Sequence, residues 1–389
     1  MVEARNDEAS KPIRLGMVGG GEGAFIGAVH RIAARLDGRY ELVAGALSST
    51  ADKSLRSGKA LGLPRIYGNF EEMAKAEASR DDGVEAVAIV TPNHMHAAPA
   101  LAFLKAGVHV ICDKPLTTTL ASARELKGAA AQSGKIFAVT HNYTGYPMVR
   151  QARAIVATGE LGDIRVVQVE YPQDWLTTDL ESTGQKQADW RTDPARSGAG
   201  GCIGDIGTHA FNLADFITGL AVTELSAELT TFVAGRRLDD NVQIMLRYAN
   251  GARGSLWASQ VAPGNENGLK IRVYGSKGGL EWRQEHPNQL HFSPFGEATR
   301  ILSRGTGSAG PAAARVTRIP SGHPEGYLEA FATIYSEVAL AIEAARDGRK
   351  PDAEVLFPTI DDGVKGVAFI ETAVKSSQAG GAWTKFASE

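Results

Sequence analysis

Residues 13–30 read IRLGMVGGGEGAFIGAVH, an apolar run followed at once by a glycine-rich turn. The run at 13–18 predicts a short buried strand, and the residues after the glycines favour a helix. Glycines at such a turn allow a tight bend, a close approach of the backbone to a pyrophosphate and close packing of helix on strand. Free N–H groups at the start of the helix would face a phosphate. The stretch therefore predicts a βα unit that binds a dinucleotide.

The alternation of strand and helix continues to about residue 140. Further strands are predicted at 40–47, 84–90, 108–112 and 136–140, and helices at 51–61, 97–106 and 119–133. Strands separated by helices of this length form βαβ units and a parallel sheet. We therefore expect residues 12–143 to form an N-terminal Rossmann domain with a doubly wound parallel sheet.

The pattern changes after residue 143, where strands begin to dominate. A helix is predicted at 148–158, strands at 164–171, 221–233, 241–248, 252–260 and 270–274, a loop at 304–321, and helices at 325–345 and 362–376. The alternation of apolar and polar residues in VQIMLRY and ARGSLWASQ is typical of an antiparallel sheet with one covered face. The fold class we expect is α/β, with residues 144–389 forming a C-terminal α/β domain on a large, open, mostly antiparallel sheet.

Composition limits the classes of partner. The 389 residues carry a net charge of −3, which provides no basic surface for nucleic acid and no polybasic patch for a membrane. No run approaches the length of a membrane span, and residues 1–12 lack the apolar segment of a signal peptide. Two cysteines, Cys112 and Cys202, imply no disulfide framework. We expect a cytoplasmic protein.

A lysine ends the strand predicted at 108–112. Residues 108–116 read VHVICDKPL, so that Lys114 precedes Pro115. Proline lacks an N–H and disfavours helical geometry in the residue before it, which places Lys114 at the carboxyl tip of the strand. Ligands of open parallel sheets bind outside the carboxyl ends of the strands. Lys114 is therefore a candidate for chemistry, and the alternative is an exposed lysine in a turn.

An aspartate and a histidine stand four residues apart at the start of a predicted helix. Residues 204–209 read GDIGTH, and this spacing places Asp205 and His209 on one helical face. A carboxylate beside an imidazole fixes its tautomer and stabilises its charged form, as a general base requires. In the alternative, Asp205 caps the helix and His209 is a packing residue. No third ligand at suitable spacing supports a metal site.

Four motifs in this order resemble the Gfo/Idh/MocA family of nicotinamide-dependent oxidoreductases. They are the glycine-rich turn ending in GxxH at His30, TPNHMH at 91–96, Asp113-Lys114-Pro115, and G-D-x-G-x-H at 204–209. The resemblance implies a Rossmann domain followed by an α/β domain whose open sheet often forms oligomer contacts. It also implies that hydride passes between the nicotinamide and a ring carbon bearing a hydroxyl.

The resemblance also implies roles for individual residues. Lys114 would contact the reacting hydroxyl and help order the cofactor, His209 would take the hydroxyl proton, and Asp205 would bind the neighbouring hydroxyl. The residues assigned to the cofactor are Gly19, Gly21, Ala24, Phe25, Ile26, Ser48, Ser49, Lys53, Thr91, Pro92, Asn93, His96, Asp113, Lys114 and Asn142.

The chain departs from the family pattern in three places. The first turn carries three extra residues, which leaves open which of residues 21–24 contact the phosphates. Asp113 stands where glutamate is commoner. The second strand ends in Ser48-Ser49-Thr50 with Lys53 and Arg56 following, whereas a carboxylate there would select NAD. We expect NAD, with NADP possible.

Hydroxyl-rich and aromatic loops suggest the substrate. A polyol needs directed donors and acceptors, together with an aromatic surface for the C–H face of its ring. The residues assigned to it are Lys114, Asn142, Tyr143, Tyr171, Gln173, Trp175, Arg191, Asp205, His209 and His323.

The hypothesis is an NAD(P)-dependent dehydrogenase that oxidises a secondary hydroxyl of a cyclic polyol or sugar, such as an inositol or a pyranose. The alternatives are an NAD-dependent glycosidase that uses transient oxidation, and a non-catalytic protein that senses a sugar or a dinucleotide. We expect a homodimer or homotetramer.

Overall fold

A computed structural model describes residues 11–387 of the chain. The expectation that residues 1–12 contain no signal peptide falls almost entirely outside this range. The first half of the chain builds a six-stranded sheet in the order β3-β2-β1-β4-β5-β6, and every pair in it is parallel. The strands are β1 (Ile13–Gly19), β2 (Tyr40–Ala46), β3 (Arg65–Ile66), β4 (Ala86–Val90), β5 (His109–Cys112) and β6 (Phe137–Val139).

Helices connect these strands, as the prediction of βαβ units requires. They are α1 (Phe25–Leu36), α2 (Ala51–Ala60), α3 (Phe70–Ala78), α4 (Ala97–Lys105) and α5 (Leu120–Ser133). The predicted Rossmann sheet is confirmed. Sequence analysis missed β3 and α3, which are only two and nine residues long.

The second sheet has nine strands in the order β14-β13-β12-β11-β7-β10-β9-β8-β15. Only the pair β7–β10 is parallel, so the expected mostly antiparallel sheet is confirmed. The strands are β7 (Ile164–Pro172), β8 (Val222–Thr230), β9 (Asn241–Tyr248), β10 (Arg253–Ser259), β11 (Lys270–Gly275), β12 (Gly278–Arg283), β13 (Gln289–Pro294), β14 (Arg300–Ser303) and β15 (Thr384–Lys385).

Sequence analysis missed strands β12, β13, β14 and β15. All are short, and β12 begins with two glycines, a residue that is depleted in strands. Pairing with neighbours in the sheet, rather than local propensity, makes them strands.

Seven helices accompany the second sheet in the described part of the chain. They are α6 (Pro147–Ala157), α7 (Lys186–Arg191), α8 (Pro194–Ser197), α9 (Thr208–Thr218), α10 (Pro311–Ala314), α11 (Tyr327–Arg346) and α12 (Ile360–Gln378). The predicted loop at 304–321 therefore contains one short helix, α10, which Pro311 begins at a position that proline favours.

The two long C-terminal helices pack against the first sheet. Phe331 and Tyr335 of α11 join the core on one face of the parallel sheet. Val367 of α12 joins the core on the opposite face, while Phe369 of the same helix belongs to the core of the second sheet. A domain boundary at residue 143 stays a prediction, because α11 and α12 lie against the first sheet although they come from the second half of the chain.

Two further findings concern the described residues. None of their helices is both long and apolar enough to cross a membrane. Cys112 and Cys202 are buried and unpaired.

Candidate active site

The glycine-rich turn after β1 adopts a conformation that few other residues tolerate. Gly19, Gly20 and Gly23 have positive φ angles of 80°, 71° and 74°. Gly27, in the first turns of α1, lies so close to the turn that a Cβ atom there would stand 2.4 Å from the Cα atom of Gly20. The backbone therefore forms a cradle that side chains would fill, which fits the approach of a pyrophosphate.

The extra residues of this turn use some amide groups internally. The Gly21 N–H donates to the Leu47 carbonyl oxygen at 3.0 Å, and the Glu22 N–H donates to Ser57 Oγ at 3.1 Å. These bonds tie the turn to the end of β2 and to α2. The amides of residues 21 and 22 are thus engaged by the protein itself, so that the phosphate contact expected at Gly21 would not involve its N–H.

The start of α1 supplies the free donors. Its N-cap is Ala24, which has no side chain that can cap the helix. The N–H groups of Phe25 and Ile26 belong to the first turn, whose donors have no partner within a helix. An uncapped helix start at the carboxyl edge of a parallel sheet suits an anion such as a phosphate. Lys186 of α7 adds a positive charge there, with Nζ 3.5 Å from the Gly23 carbonyl oxygen.

The expected ribose contacts lie where β2 ends. Ser48 is half-buried, while Ser49 and Lys53 are exposed at the start of α2. The contact of these hydroxyls and this cation with a cofactor ribose stays a prediction.

The TPNHMH loop after β4 is fixed by its own side chains. Thr91 and Pro92 are half-buried at its start, and the buried Asn93 donates from Nδ2 to the Ser197 carbonyl oxygen at 3.0 Å. The cofactor contact expected there is therefore left to the loop backbone.

His96 was expected to touch the cofactor, but its ring is fully buried and engaged elsewhere. Nδ1 lies 2.9 Å from the Pro115 carbonyl oxygen, and Nε2 lies 2.9 Å from the Thr91 carbonyl oxygen. His96 thus holds the loop after β4 against the turn after β5, and it acts on the site by positioning these two loops.

Asp113 and Lys114 follow β5 at the same edge of the sheet. Asp113 Oδ1 accepts from the Lys114 N–H at 2.9 Å and from Thr140 Oγ1 at 2.9 Å. This carboxylate therefore orders the turn that carries the lysine, and the side chain of Lys114 is left to reach across the cleft.

Lys114 meets Asp205, which comes from the second half of the chain. The Lys114 Nζ atom lies 3.0 Å from Asp205 Oδ1, and both side chains are largely buried. Gln260 Nε2 donates to Asp205 Oδ2 at 2.9 Å, and Arg191 Nε lies 3.3 Å from the same oxygen. Burial raises the pKa of Asp205, but Lys114 and then Arg191 outweigh it and hold that pKa below its usual value. The aspartate is an anion at neutral pH.

Asp205 and His209 form no hydrogen bond with each other, although their spacing predicted that the carboxylate would lie beside the imidazole. Asp205 lies in a π-helical turn (Ile203–Gly207), whereas His209 lies in the α-helix α9 that follows. The wider turn changes the angular relation that a regular helix would give to a four-residue spacing. Asp205 contacts Lys114 instead, and His209 Nδ1 has no hydrogen-bond partner among the described residues.

His209 is surrounded by aromatic rings. Its ring centroid lies 4.8 Å from that of Tyr143, 5.5 Å from that of His141 and 6.4 Å from that of Tyr171. Burial, then the charge of Lys114, lowers the pKa of His209 well below 6.5. The imidazole is therefore neutral at physiological pH and able to accept a proton.

A network of hydroxyl and amide groups adjoins this histidine. Tyr143 and Tyr171 share a short hydroxyl–hydroxyl bond. Asn267 Oδ1 accepts from the Tyr171 hydroxyl at 2.7 Å and from Gln173 Nε2 at 2.7 Å. Trp175 Nε1 donates to Gln173 Oε1 at 3.1 Å. Four residues assigned to the substrate from sequence are thus joined into one network.

Of the other substrate candidates, some lie at the site and one does not. Asn142 is buried, and its Nδ2 has no partner among the described residues. Arg191 stacks on Trp190 at 4.2 Å while it contacts Asp205. His323 is exposed, and its hydrogen bonds are made by its backbone, which donates to the Pro320 carbonyl oxygen and accepts from Arg304, so the structure does not bring its ring into the site of the same chain.

Sequence reasoning missed Gln260, Asn267, His141 and Tyr327. Burial first, and then Tyr143 and Asp113, raises the pKa of Tyr327. Asn267 and Gln260 had no motif around them. His141 did carry a signal, since it adjoins the chosen Asn142, and Tyr327 stands four positions after the chosen His323.

No group of three or more histidine, cysteine, aspartate or glutamate side chains within residues 11–387 has the geometry of a metal site.

Two family models together match most of the chain. Residues 13–141 match the model described as an oxidoreductase family with an NAD-binding Rossmann fold, and residues 149–281 match the GFO/IDH/MocA C-terminal domain. An uncharacterized oxidoreductase of Bacillus subtilis is 38% identical over 97% of this chain and 98% of its own length. Levoglucosan dehydrogenase of Pseudarthrobacter phenanthrenivorans is 27% identical over 95% of this chain and 97% of its own length.

Solved structures agree over nearly the whole chain. An oxidoreductase from Sinorhizobium meliloti is 58% identical with a TM-score of 0.89, over 97% of this chain and 100% of that one. An inositol dehydrogenase homolog from Azotobacter vinelandii, complexed with NAD+, is 39% identical with a TM-score of 0.93, over 97% of this chain and 98% of that one. The same homolog has also been solved with NADH and myo-inositol.

Proposed function

The chain belongs to the GFO/IDH/MocA family of NAD-binding oxidoreductases, and we propose that it oxidises a secondary hydroxyl of a cyclic polyol or sugar, an inositol or a pyranose. One observation carries the proposal. Lys114, which follows β5 at the carboxyl edge of the parallel sheet, pairs with Asp205 of the second half of the chain, and its charge acts on the buried, neutral His209. The substrates named for the inositol and levoglucosan dehydrogenase relatives, which are cyclic and rich in hydroxyls, support the same substrate class.

The proposed chemistry removes a proton from the hydroxyl and a hydride from the carbon that bears it. Bound NAD supplies the hydride acceptor. His209 takes the hydroxyl proton on its neutral imidazole, which burial keeps free of a proton at pH 7. The Lys114 ammonium group stabilises the negative charge that develops on the oxygen.

Asp205 has two tasks in this proposal. Its carboxylate balances the charge of Lys114 and holds the amine at the cleft, and Gln260 holds the carboxylate in turn. Its remaining acceptor capacity serves the hydroxyl next to the reacting one. A vicinal diol on a ring would satisfy both Lys114 and Asp205.

The experiment that tests the proposal is a spectrophotometric screen of inositols, hexoses and anhydrosugars with NAD+ and with NADP+. We expect NADH formation with at least one of them, and a loss of about 10² to 10⁴ in turnover for Lys114→Ala. Equal turnover in Lys114→Ala, or no reduction with any compound, would refute the assignment. Turnover of a glycoside without net NADH would instead indicate a glycosidase that reoxidises its cofactor in each cycle.

We also propose a homodimer or homotetramer built on the outer face of the second sheet. Val166, Met245 and Tyr274 project from this face and are 37%, 54% and 42% exposed. Their strands are joined in register, with Tyr274 opposite Val166. Light scattering after size-exclusion chromatography should show an oligomer that Met245→Asp weakens, and a monomeric wild-type protein would contradict it.

A further inference from the structure

The segment that leads into the π-helical turn of Asp205 is bound by an aspartate from another loop. Asp239 lies between β8 and β9 and is only 8% exposed. Its Oδ1 accepts from the Gly201 N–H at 2.6 Å, and its Oδ2 accepts from the Ile203 N–H at 2.8 Å. The Cys202 N–H between them donates to the Asp239 carbonyl oxygen at 2.8 Å. Three consecutive N–H groups thus bind to one residue.

Asp239 caps this turn from outside. The first N–H groups of a helix have no partner within it, and a carboxylate near them is favourable. Cys202 precedes the turn, and its own side chain makes no capping bond. Burial raises the pKa of Asp239 to about 6, against the lowering effect of the N–H groups of Ile203 and Gly201. The carboxyl group is therefore mainly an anion at pH 7, as its two bonds to N–H donors require.

Gly201 connects Asp239 to Asp205 through its two backbone groups. Its N–H binds the Asp239 carboxylate, and its carbonyl oxygen accepts from the Asp205 N–H at 2.9 Å. The two segments approach so closely that a Cβ atom at Gly201 would stand 2.3 Å from the Asp239 carbonyl oxygen. A change at the Asp239 carboxylate would therefore displace Gly201 and, with it, the backbone of Asp205.

The backbone of Asp205 matters because Lys114 binds it directly. Lys114 Nζ donates to the Asp205 carbonyl oxygen at 2.5 Å as well as to Oδ1 at 3.0 Å. The residue after Asp239 holds the other side of the carboxylate. The Asp240 carbonyl oxygen accepts from the Gln260 N–H at 2.8 Å, and Gln260 Nε2 donates to Asp205 Oδ2 at 2.9 Å. Residues 239 and 240 thus support Asp205 through its backbone and through its side chain.

We propose that Asp239 is a positioning residue for the oxidation: by fixing the start of the π-helical turn, its carboxylate holds Asp205 where it can bind the Lys114 ammonium group. This inference rests on the proposed function. It adds that the position of the lysine depends on a carboxylate that acts through Gly201 and Asp205 rather than on the reacting atoms.

The test is a double-mutant cycle on kcat. Asp239→Asn keeps the volume of the side chain but puts an amide donor against a backbone N–H, so one bond is lost. We expect kcat for the polyol that the enzyme oxidises fastest to fall about tenfold to a hundredfold, as a misplacement near 1 Å would give. In the Lys114→Met background the same change should lower kcat by less than about threefold, since no amine is left to position. A merely structural defect would lower kcat equally in both backgrounds.

The matched control is another carboxylate that binds a backbone N–H at the start of a helix. Asp362 Oδ2 accepts from the Thr359 N–H at 2.6 Å, before α12. Asp362→Asn should lower the melting temperature and leave kcat unchanged. The dissociation constant of NADH should stay close to that of the wild-type protein in both Asp239→Asn and Asp362→Asn.

An unchanged kcat in Asp239→Asn, or an equal loss in both backgrounds, overturns the positioning role while the dehydrogenase stands. If Asp239→Asn does not fold, the cycle is repeated with Asp239→Glu, which keeps the charge but is one methylene longer. Failure of both variants to fold also overturns the proposal, because Asp239 would then support the fold as a whole.

The failure of the proposed function would look different, because the wild-type protein would then oxidise no polyol. A crystal structure of Asp239→Asn then decides on the positioning role. An Asp205 carboxylate displaced from Lys114 and Gln260 supports it, and unchanged contacts overturn it.

Discussion

The cofactor side and the substrate side of the candidate active site differ in whether backbone or side-chain groups form them. On the cofactor side the groups are mostly backbone, namely the glycine cradle and the uncapped start of α1. On the substrate side they are side chains from distant parts of the chain, with Lys114 and Asp205 separated by 91 positions. A backbone site depends on local conformation, whereas a side-chain site depends on how the two sheets are brought together. Substitutions should therefore affect cofactor binding and turnover separately.

The largest effect is expected on the substrate side. His209→Ala should lower turnover by about 10² to 10⁴, because a positioned general base contributes that much to the rate. The dissociation constant of NADH, measured by fluorescence titration, should stay close to that of the wild-type protein. A parallel loss of NADH binding would mean that the two halves are not separate.

A pH profile gives the same residue an independent test. A base works when it is deprotonated, so a lowered pKa moves the acidic limb of kcat/KM below the ordinary histidine value of 6.5. Lys114 is one of the causes of this lowering, after burial. The residual activity of Lys114→Met should therefore have its acidic limb at a higher pH than the wild-type enzyme. A limb that stays in place would remove His209 from the role of base.

The next effect is expected on the cofactor side. A Cβ atom at Gly21 would stand 2.5 Å from the Leu47 carbonyl oxygen and 2.8 Å from Ser57 Oγ, so Gly21→Ala must displace the turn. Overpacking of this kind should weaken NAD+ binding about tenfold to a hundredfold by calorimetry. Gly128→Ala is the matched control, since a Cβ atom there meets nothing within 4 Å. An unaffected Gly21→Ala would show that the cradle does not hold the cofactor.

A smaller effect is expected for Asn267, whose side chain binds two other side chains of the substrate side. Asn267→Ala removes the acceptor of Tyr171 and Gln173, and should raise KM for the polyol about tenfold with little change in NAD+ affinity. Asn265 lies in the same loop but its side chain donates only to the Ala262 carbonyl oxygen, which makes Asn265→Ala the control. If both variants behave alike, the loop matters and the network does not.

The smallest effect is expected for Lys186, a side chain on the cofactor side, where most of the groups are backbone. Lys186 is an exposed side chain from the second half of the chain that lies over the backbone cradle. Lys186→Met should weaken NAD+ binding by less than about fivefold, and added salt should reduce the difference. A loss larger than that of Gly21→Ala would show that a side chain, and not the backbone, dominates the cofactor half.

The same contrast explains what could be predicted from sequence. The strand, glycine turn and helix at 13–36 are local, so their pattern predicted the fold of this region. The spacing of Asp205 and His209 is also local. It did not predict their contacts, because the π-helical turn gives them a different relative orientation from a regular helix, and Asp205 pairs with Lys114 at the end of the other sheet. Gln260 and Asn267 have no local pattern at all. Only the pairing of β10 with β7 and β9 brings them to the site.

The helix α12 gives the molecule a property that neither sheet has alone. One of its sides contributes Val364 and Val367 to the parallel sheet, and another contributes Phe369 and Ala373 to the mixed one. Melting either half would strip part of this helix of its apolar contacts, at a cost of about 1.5–3 kcal/mol for each large side chain. Heat should therefore unfold the protein in a single calorimetric transition. A chain that stops before Ile360 should lose the cooperativity of both halves together.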